Sequence, residues 1–261
     1  SPEFDFHPLT DGERLTLGEV VLEFRHTPGH TPESLSVVVW GHGDDLEPYG
    51  VLTGDTLFVG DVGRPDLLAA AGMSEEEMAG DLYDSLHQRL MVLPDATLVF
   101  PAHGAGSACG KNLSVERSST IGEQRRTNYA VAAADRAEFI DLVTEGQPVV
   151  PTYFAHDAVL NRVERSLLDE DALPTAMGLE EVDAALNSGA VVIDVRDPES
   201  FARSHLVGAL NVGLEGRFAE AAGSVLPFEV DLVLVAEEGT ALEAKNRLAR
   251  IGLDRVVGHL E

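Results

Sequence analysis

Apolar and polar positions come in short runs over the first hundred residues. Residues 17–25, Leu-Gly-Glu-Val-Val-Leu-Glu-Phe-Arg, alternate in part and predict a strand. Ser34–Trp40 predicts a second strand, Gly50–Phe58 contains a third, and Ala96–Phe100 is a fourth that stops at Pro101. Between the last two the period changes. Met73–Leu93 sets Met78, Leu82, Leu86 and Leu90 at helical spacing behind a cap-like Ser74 and its run of glutamates. Residues 119–145 predict one long helical stretch. Residues 146–175 hold Pro148, Pro151 and Pro174 around a short helix and read as a connector.

The pattern shifts at about residue 177. Helix (Leu179–Leu186), buried strand (Ala190–Asp194), short helix (Glu199–Ser204), strand (Ala209–Val212), helix (Glu215–Ala222), strand (Leu232–Ala236) and helix (Thr240–Ile251) follow in turn. Strands that alternate with helices predict a parallel α/β sheet. The chain thus divides into residues 1–175 and 176–261, without internal repeats or low-complexity segments.

The chain has 261 residues, 44% hydrophobic and 24% charged, in the range of a globular protein. Its apolar runs, such as Val37–Trp40, are too short to span a bilayer, and no signal-peptide pattern opens it. A net charge of −27, spread along the chain, argues against nucleic-acid and anionic-membrane partners. The basic residues are arginines apart from Lys111 and Lys245. Cys109 is the only cysteine, which excludes an internal disulfide and a cysteine-based zinc knuckle and fits a reducing cytoplasm.

Candidate chemistry lies in three loops, each behind an apolar run: His-Thr-Pro-Gly-His-Thr (26–31), Thr-Gly-Asp (53–55) and Pro-Ala-His-Gly (101–104). A histidine and a carboxylate carried at strand ends can hold a metal and leave coordination positions open, as in two-His-one-carboxylate iron sites and catalytic zinc sites. Gly29 and Gly54, beside His30 and Asp55, allow the tight turns such loops need.

In this order the motifs resemble the second half of the metallo-β-lactamase αββα sandwich, over roughly residues 5–165. Thr-Gly-Asp-Thr-Leu-Phe-Val-Gly-Asp-Val-Gly-Arg-Pro-Asp (53–66) is similar to the persulfide dioxygenases. Pro-Ala-His-Gly-Ala-Gly-Ser-Ala-Cys-Gly-Lys (101–111) is similar to the branch of them fused to rhodanese domains. The resemblance implies that His30 and Asp55 are two of three ligands to a mononuclear Fe(II). His103 is implied to stand outside the first coordination sphere, or to bind a second metal as in the dinuclear zinc hydrolases. Arg64 is expected either to bind a substrate carboxylate or thiol tail, or to pair with Asp61 or Asp66 and stabilise its loop. Cys109, in a Gly-rich loop, reads as a packing residue, although Lys111 stands close enough in sequence to lower a thiol pKa.

The family's first ligand comes from an upstream His-x-His-x-Asp-His motif, and this chain has only His7 before His26. The expectation is therefore an exposed half-sandwich whose third ligand comes from outside the chain. A homodimer, a partner chain or a domain exchange would cover the open sheet, whose burial is worth on the order of tens of kcal/mol.

Val-Val-Ile-Asp-Val-Arg-Asp-Pro-Glu-Ser-Phe (191–201), with His205 and Gly-Ala-Leu-Asn (208–211), resembles a rhodanese. Asp194 and Arg196 match its strand-end pair. Gly239 matches the glycine of the cradle loop, but Ala236 stands where the sulfur-carrying cysteine belongs. The expected activity is oxidation of a low-molecular-weight thiol persulfide by O2 at iron, with an inactive rhodanese domain. The alternatives are a dinuclear zinc thioesterase of glyoxalase II type and a non-enzymatic scaffold. Ala236→Cys alone should give little sulfurtransferase activity, because Glu237 and Glu238 oppose a thiolate there. Robust thiosulfate turnover by that variant would refute the reading.

Overall fold

Two compact units make up the chain, residues 7–150 and residues 151–261 joined by 1–6. The computed structural model describes residues 2–68, 72–105, 107–147 and 149–260. Pro148 of the connector and Gly106 of the 101–111 loop lie outside the described residues.

In the first unit a six-stranded sheet runs in the order β1 (Arg14–Leu17), β2 (Val20–His26), β3 (Leu35–Trp40), β4 (Gly50–Gly54), β5 (Leu98–Pro101) and β6 (Ser119–Thr120). Only the β4–β5 pair is parallel. The strand expected over 17–25 is a hairpin instead. Gly18, at φ +66°, turns the chain so that Leu17 pairs with Val20. The register puts Val38, Val51 and Val99 on one face, fully buried. They pack in one core with the predicted row of α1 (Glu75–Ser85) and its continuation, Leu82, Leu86 and Leu90. Ser74 caps α1 by accepting from Glu77 N, and the helix widens into a π-helical turn at Leu86–Leu90. The opposite face is also apolar. Leu17, Leu35 and Leu52 stay exposed there, Leu17 at 57%, and Tyr49 stacks on Phe100.

The long helix expected over 119–145 is two helices, α2 (Ile121–Thr127) and α3 (Arg136–Thr144). Asn128 breaks it. Its Oδ1 accepts from Ala130 N and Val131 N, a local turn that competes with the helix. Asp135 then caps α3 by accepting from Ala137 N and Glu138 N.

The second unit is a parallel sheet in the order β10 (Val256–Leu260), β9 (Leu232–Val235), β7 (Val191–Asp194), β8 (Leu210–Asn211). Helices α5 (Leu179–Asn187), α6 (Pro198–Arg203), α7 (Phe218–Val225) and α8 (Ala241–Ala249) join the strands as the pattern predicts, and β10 is an additional strand. The connector helix α4 (Tyr153–Leu160) belongs to this unit rather than the first. Tyr153 enters a core with Phe218 and Ala222, and Thr152 Oγ1 donates to Gly223 O at 3.0 Å. Among the described residues no helix is long and apolar enough to cross a membrane.

Asp157 on α4 is half-buried, and burial pushes its carboxyl up to about 6, with Asp254 adding to the rise. Its folded pKa exceeds the unfolded value. The stability it contributes is therefore present at low pH and lost as pH rises through about 6. Asp157→Asn should flatten the difference between melting temperatures at pH 5 and pH 7. An unchanged difference would contradict this.

Candidate metal centre

His30 is set by a turn that the rest of the unit holds on several sides. Thr27 N donates to Ser34 O, Ser85 Oγ on α1 donates to Pro28 O at 2.7 Å, and Thr56 Oγ1 donates to Thr27 O. Gly29 sits at φ +139°, and a Cβ there would lie 2.4 Å from the Cα of Leu82, so only glycine lets the turn meet the helix. The His30 ring is buried, with Nδ1 3.0 Å from Arg64 O. A carbonyl only accepts, so the proton rests on Nδ1 and the Nε2 lone pair is left to face Asp55 Oδ2 at 3.7 Å. Burial lowers the imidazole pKa, against the pull of Asp55, and so favours the neutral form that binds metals.

Asp55 follows β4 on a turn closed by Thr56 N donating to Thr53 O and Thr53 Oγ1 donating to Leu57 O. Its Oδ1 is buried and has no hydrogen bond, although His103 Nε2 lies 3.2 Å away. An orphaned buried carboxylate oxygen beside two imidazoles is the environment a cation satisfies. His30, Asp55 and Cys109 each offer a ligand atom within 4.8 Å of the others. Ligands bound at roughly 2.0–2.3 Å can lie up to about 4.5 Å apart on one ion, so the set fits a metal with small adjustments. His103, 43% exposed and packed against Phe58, lies by Asp55 Oδ1, whereas His30 faces Oδ2, and it is not part of that group.

Arg64 has the second of its two expected roles. Its side chain is inaccessible, and it grips Asp66 through both carboxylate oxygens at 2.7 and 2.6 Å. Nη1 donates to Ala108 O, and the Arg64 amide donates to Cys109 O at 3.0 Å. The guanidinium therefore binds the 62–66 loop to the 107–110 loop. Lys111 does not serve Cys109 either. Its ammonium donates to the carbonyls of Leu142 and Glu145 at the end of α3.

Two residues to which the sequence pattern gave other roles complete the setting. Cys109 is buried beside His30 and Asp55, which its place in the loop after His103 and its neighbour Lys111 did not foretell. Asp61 is the second. It accepts from Val62 N, Tyr129 Oη and Asn112 N, while its own carbonyl accepts from Asn128 Nδ2. Burial and the Asp61 carboxylate raise the Tyr129 pKa, so its hydroxyl stays a donor.

In the second unit, Ala236 follows β9 and is buried, and Gly239 takes φ +82° before α8. A cleft of about 530 Å³ there is lined by Arg196, His205, Ala236, Glu237 and Glu238, among others. Arg196 forks onto Asp194 at 2.9 and 2.6 Å and donates to Ser204 O, which is the loop-fixing pair expected from sequence.

The sequence pattern of the metallo-beta-lactamase superfamily matches residues 1–103, and that of the rhodanese-like domain matches residues 178–261. A solved metallo-beta-lactamase from Staphylococcus aureus is 30% identical, with a TM-score of 0.84, over 97% of this chain and 71% of that one. The chain belongs to the metallo-β-lactamase superfamily. The fold implies a metal, and the match to the rhodanese-like domain follows the first match along the chain. The mitochondrial persulfide dioxygenase ETHE1 of Bos taurus is 32% identical over 124 residues, 48% of this chain and 40% of that protein. The probable metallo-hydrolase YqgX of Bacillus subtilis is 43% identical over 94 residues, 36% of this chain and 38% of that protein. The chain spans less than half the length of the curated relatives it matches.

Arg64→Ala would strand Asp66 in a partly buried site. It should cost the first unit about 3–5 kcal/mol, read by urea unfolding with the fluorescence of Trp40. A loss below about 1 kcal/mol would contradict the clamp.

Proposed function

We propose that the first unit is the metal-bearing part of a persulfide dioxygenase, which oxidises a low-molecular-weight thiol persulfide. The net reaction is RSSH + O2 + H2O → RSH + sulfite + two protons. The observation that carries the reading is the single compact ligand group among the described residues, with His103 outside it. That arrangement supports one ion rather than two. Similarity to a persulfide dioxygenase over 48% of the chain supports it as well.

His30 Nε2 and the Asp55 carboxylate would hold Fe(II). When bound, iron supplies open coordination positions and the redox chemistry that brings O2 and the persulfide sulfur together. The chain's own residues do the rest. Arg64 O keeps the His30 proton on Nδ1, so Nε2 stays a donor to the metal. Burial of His30 limits water around the ligand atoms. At the exposed rim, His103 Nε2 can hold or release a proton next to Asp55. The thiol is of the glutathione, bacillithiol, mycothiol or coenzyme A type. The rhodanese-like domain acts in docking, regulation or dimerisation, since it carries Ala236 in place of a nucleophile.

A second reading is a dinuclear zinc thioesterase. The two Asp55 oxygens face different histidines, at 3.7 and 3.2 Å, which favours it to that extent, as does similarity to a probable metallo-hydrolase. Oxygen uptake with glutathione persulfide separates the two. Iron-loaded full-length protein should consume O2, and Asp55→Ala should abolish uptake. No uptake, or two zincs per chain by elemental analysis, would remove the dioxygenase.

A further inference from the structure

We propose that the Thr56 hydroxyl is a positioning group for the metal centre, setting the spacing of the His30 and Asp55 turns through a closed ring of buried hydroxyls. The inference rests on the metal reading given above and deepens it.

Thr56 directly follows Asp55, and its side chain reaches the other turn. Its Oγ1 donates to Thr27 Oγ1 at 3.0 Å and to Thr27 O at 3.3 Å. Thr27 Oγ1 lies 3.0 Å from Ser36 Oγ, and Ser36 Oγ donates to Thr53 O at 3.5 Å. Thr53 O also accepts from Thr56 N, so the ring closes on the turn where it began. The proton order around it has one solution. A carbonyl only accepts, so Ser36 gives its proton to Thr53 O and accepts from Thr27. The Thr27 proton is then committed to Ser36, which leaves Thr27 Oγ1 to accept from Thr56.

Thr27, Ser36, Thr53 and Thr56 are all fully buried. Away from solvent, a lost member leaves its neighbour unpaired, so the ring favours one spacing of the two turns. The turns meet again at Gly63, where a Cβ would lie 1.8 Å from Asp55 O and 3.2 Å from His30 Cβ. Backbone contact there limits how far the turns can close, and the ring limits how far they can part. The result is a separation of 3.7 Å between His30 Nε2 and Asp55 Oδ2. That is past hydrogen-bond distance, which keeps both atoms available to an ion. Outer contacts that orient ligands in this way govern metal affinity more than fold stability.

Zinc alone is the probe, added to the full chain and competed against a chromophoric chelator. Urea unfolding of each metal-free variant runs alongside. Site zinc is the zinc that Asp55→Ala fails to bind. Thr56→Val keeps the side-chain shape without the hydroxyl, and should bind site zinc about tenfold more weakly than the parent chain. Thr56→Ser restores the hydroxyl and should bring the affinity back to within about threefold. Ser36→Ala opens the same ring from β3, outside both turns, and should weaken site zinc as well, which reads the ring even where Thr56→Val does not fold. Val143→Ala, on α3 in the same core, should lower the urea midpoint yet keep the affinity within about twofold. Parent-like affinity in both Thr56→Val and Ser36→Ala would overturn the ring's role and leave the metal reading standing. So would Thr56→Ser as weak as Thr56→Val, or Val143→Ala as weak as either. No site zinc in the parent chain would overturn the metal reading and the ring's role with it.

Discussion

The buried Arg64–Asp66 pair is the constraint on which the candidate metal centre depends. Taking a guanidinium fully out of water is expensive, and the two-pronged contact with Asp66 makes it tolerable. Once buried there, Arg64 uses every polar part for construction. Its carbonyl orients His30, its amide meets the carbonyl of Cys109, and its remaining guanidinium nitrogen holds Ala108. Asp61 does similar work beside it, tying the same loop to Asn112, Asn128 and Tyr129. Three loops that are far apart in sequence are thus held by hydrogen bonds from two residues of one of them.

Much of this was legible in the chain. Strand ends carrying His30, Asp55 and His103 follow from apolar runs that stop at Gly or Pro, and the α1 row follows from helical spacing. The parallel sheet of the second unit follows from alternating strand and helix patterns. The misses have local causes. Gly18 splits a run that alternates well enough to pass for one strand. Asn128 ends a helix because its side chain bonds the backbone ahead of it, an effect invisible to periodicity. Arg64 had two readings open, and only the fold shows that Asp66, two residues on, is its partner. Cys109 is buried as a packing residue is, and its place beside His30 and Asp55 is a tertiary fact that the sequence does not carry. The connector around Tyr153 was assigned to the first domain because proline content marks a linker but does not say which core it joins.

The two units carry unequal chemistry. The first brings ligand atoms together and leaves a buried carboxylate oxygen in need of a cation. The second keeps the frame of a sulfur-carrying domain, including the Asp194–Arg196 pair and the positive-φ Gly239. It lines the cleft with Glu237 and Glu238 around an alanine. A negative cleft without a thiol disfavours an anionic sulfur carrier. The candidate ligand atoms therefore concentrate in the first unit.

The most direct test is an anomalous difference map at the iron edge from crystals of iron-loaded protein. The account predicts one peak, within about 2.0–2.2 Å of both His30 Nε2 and an Asp55 oxygen. No peak there would contradict it, and so would two peaks flanking Asp55 with one of them bound to His103.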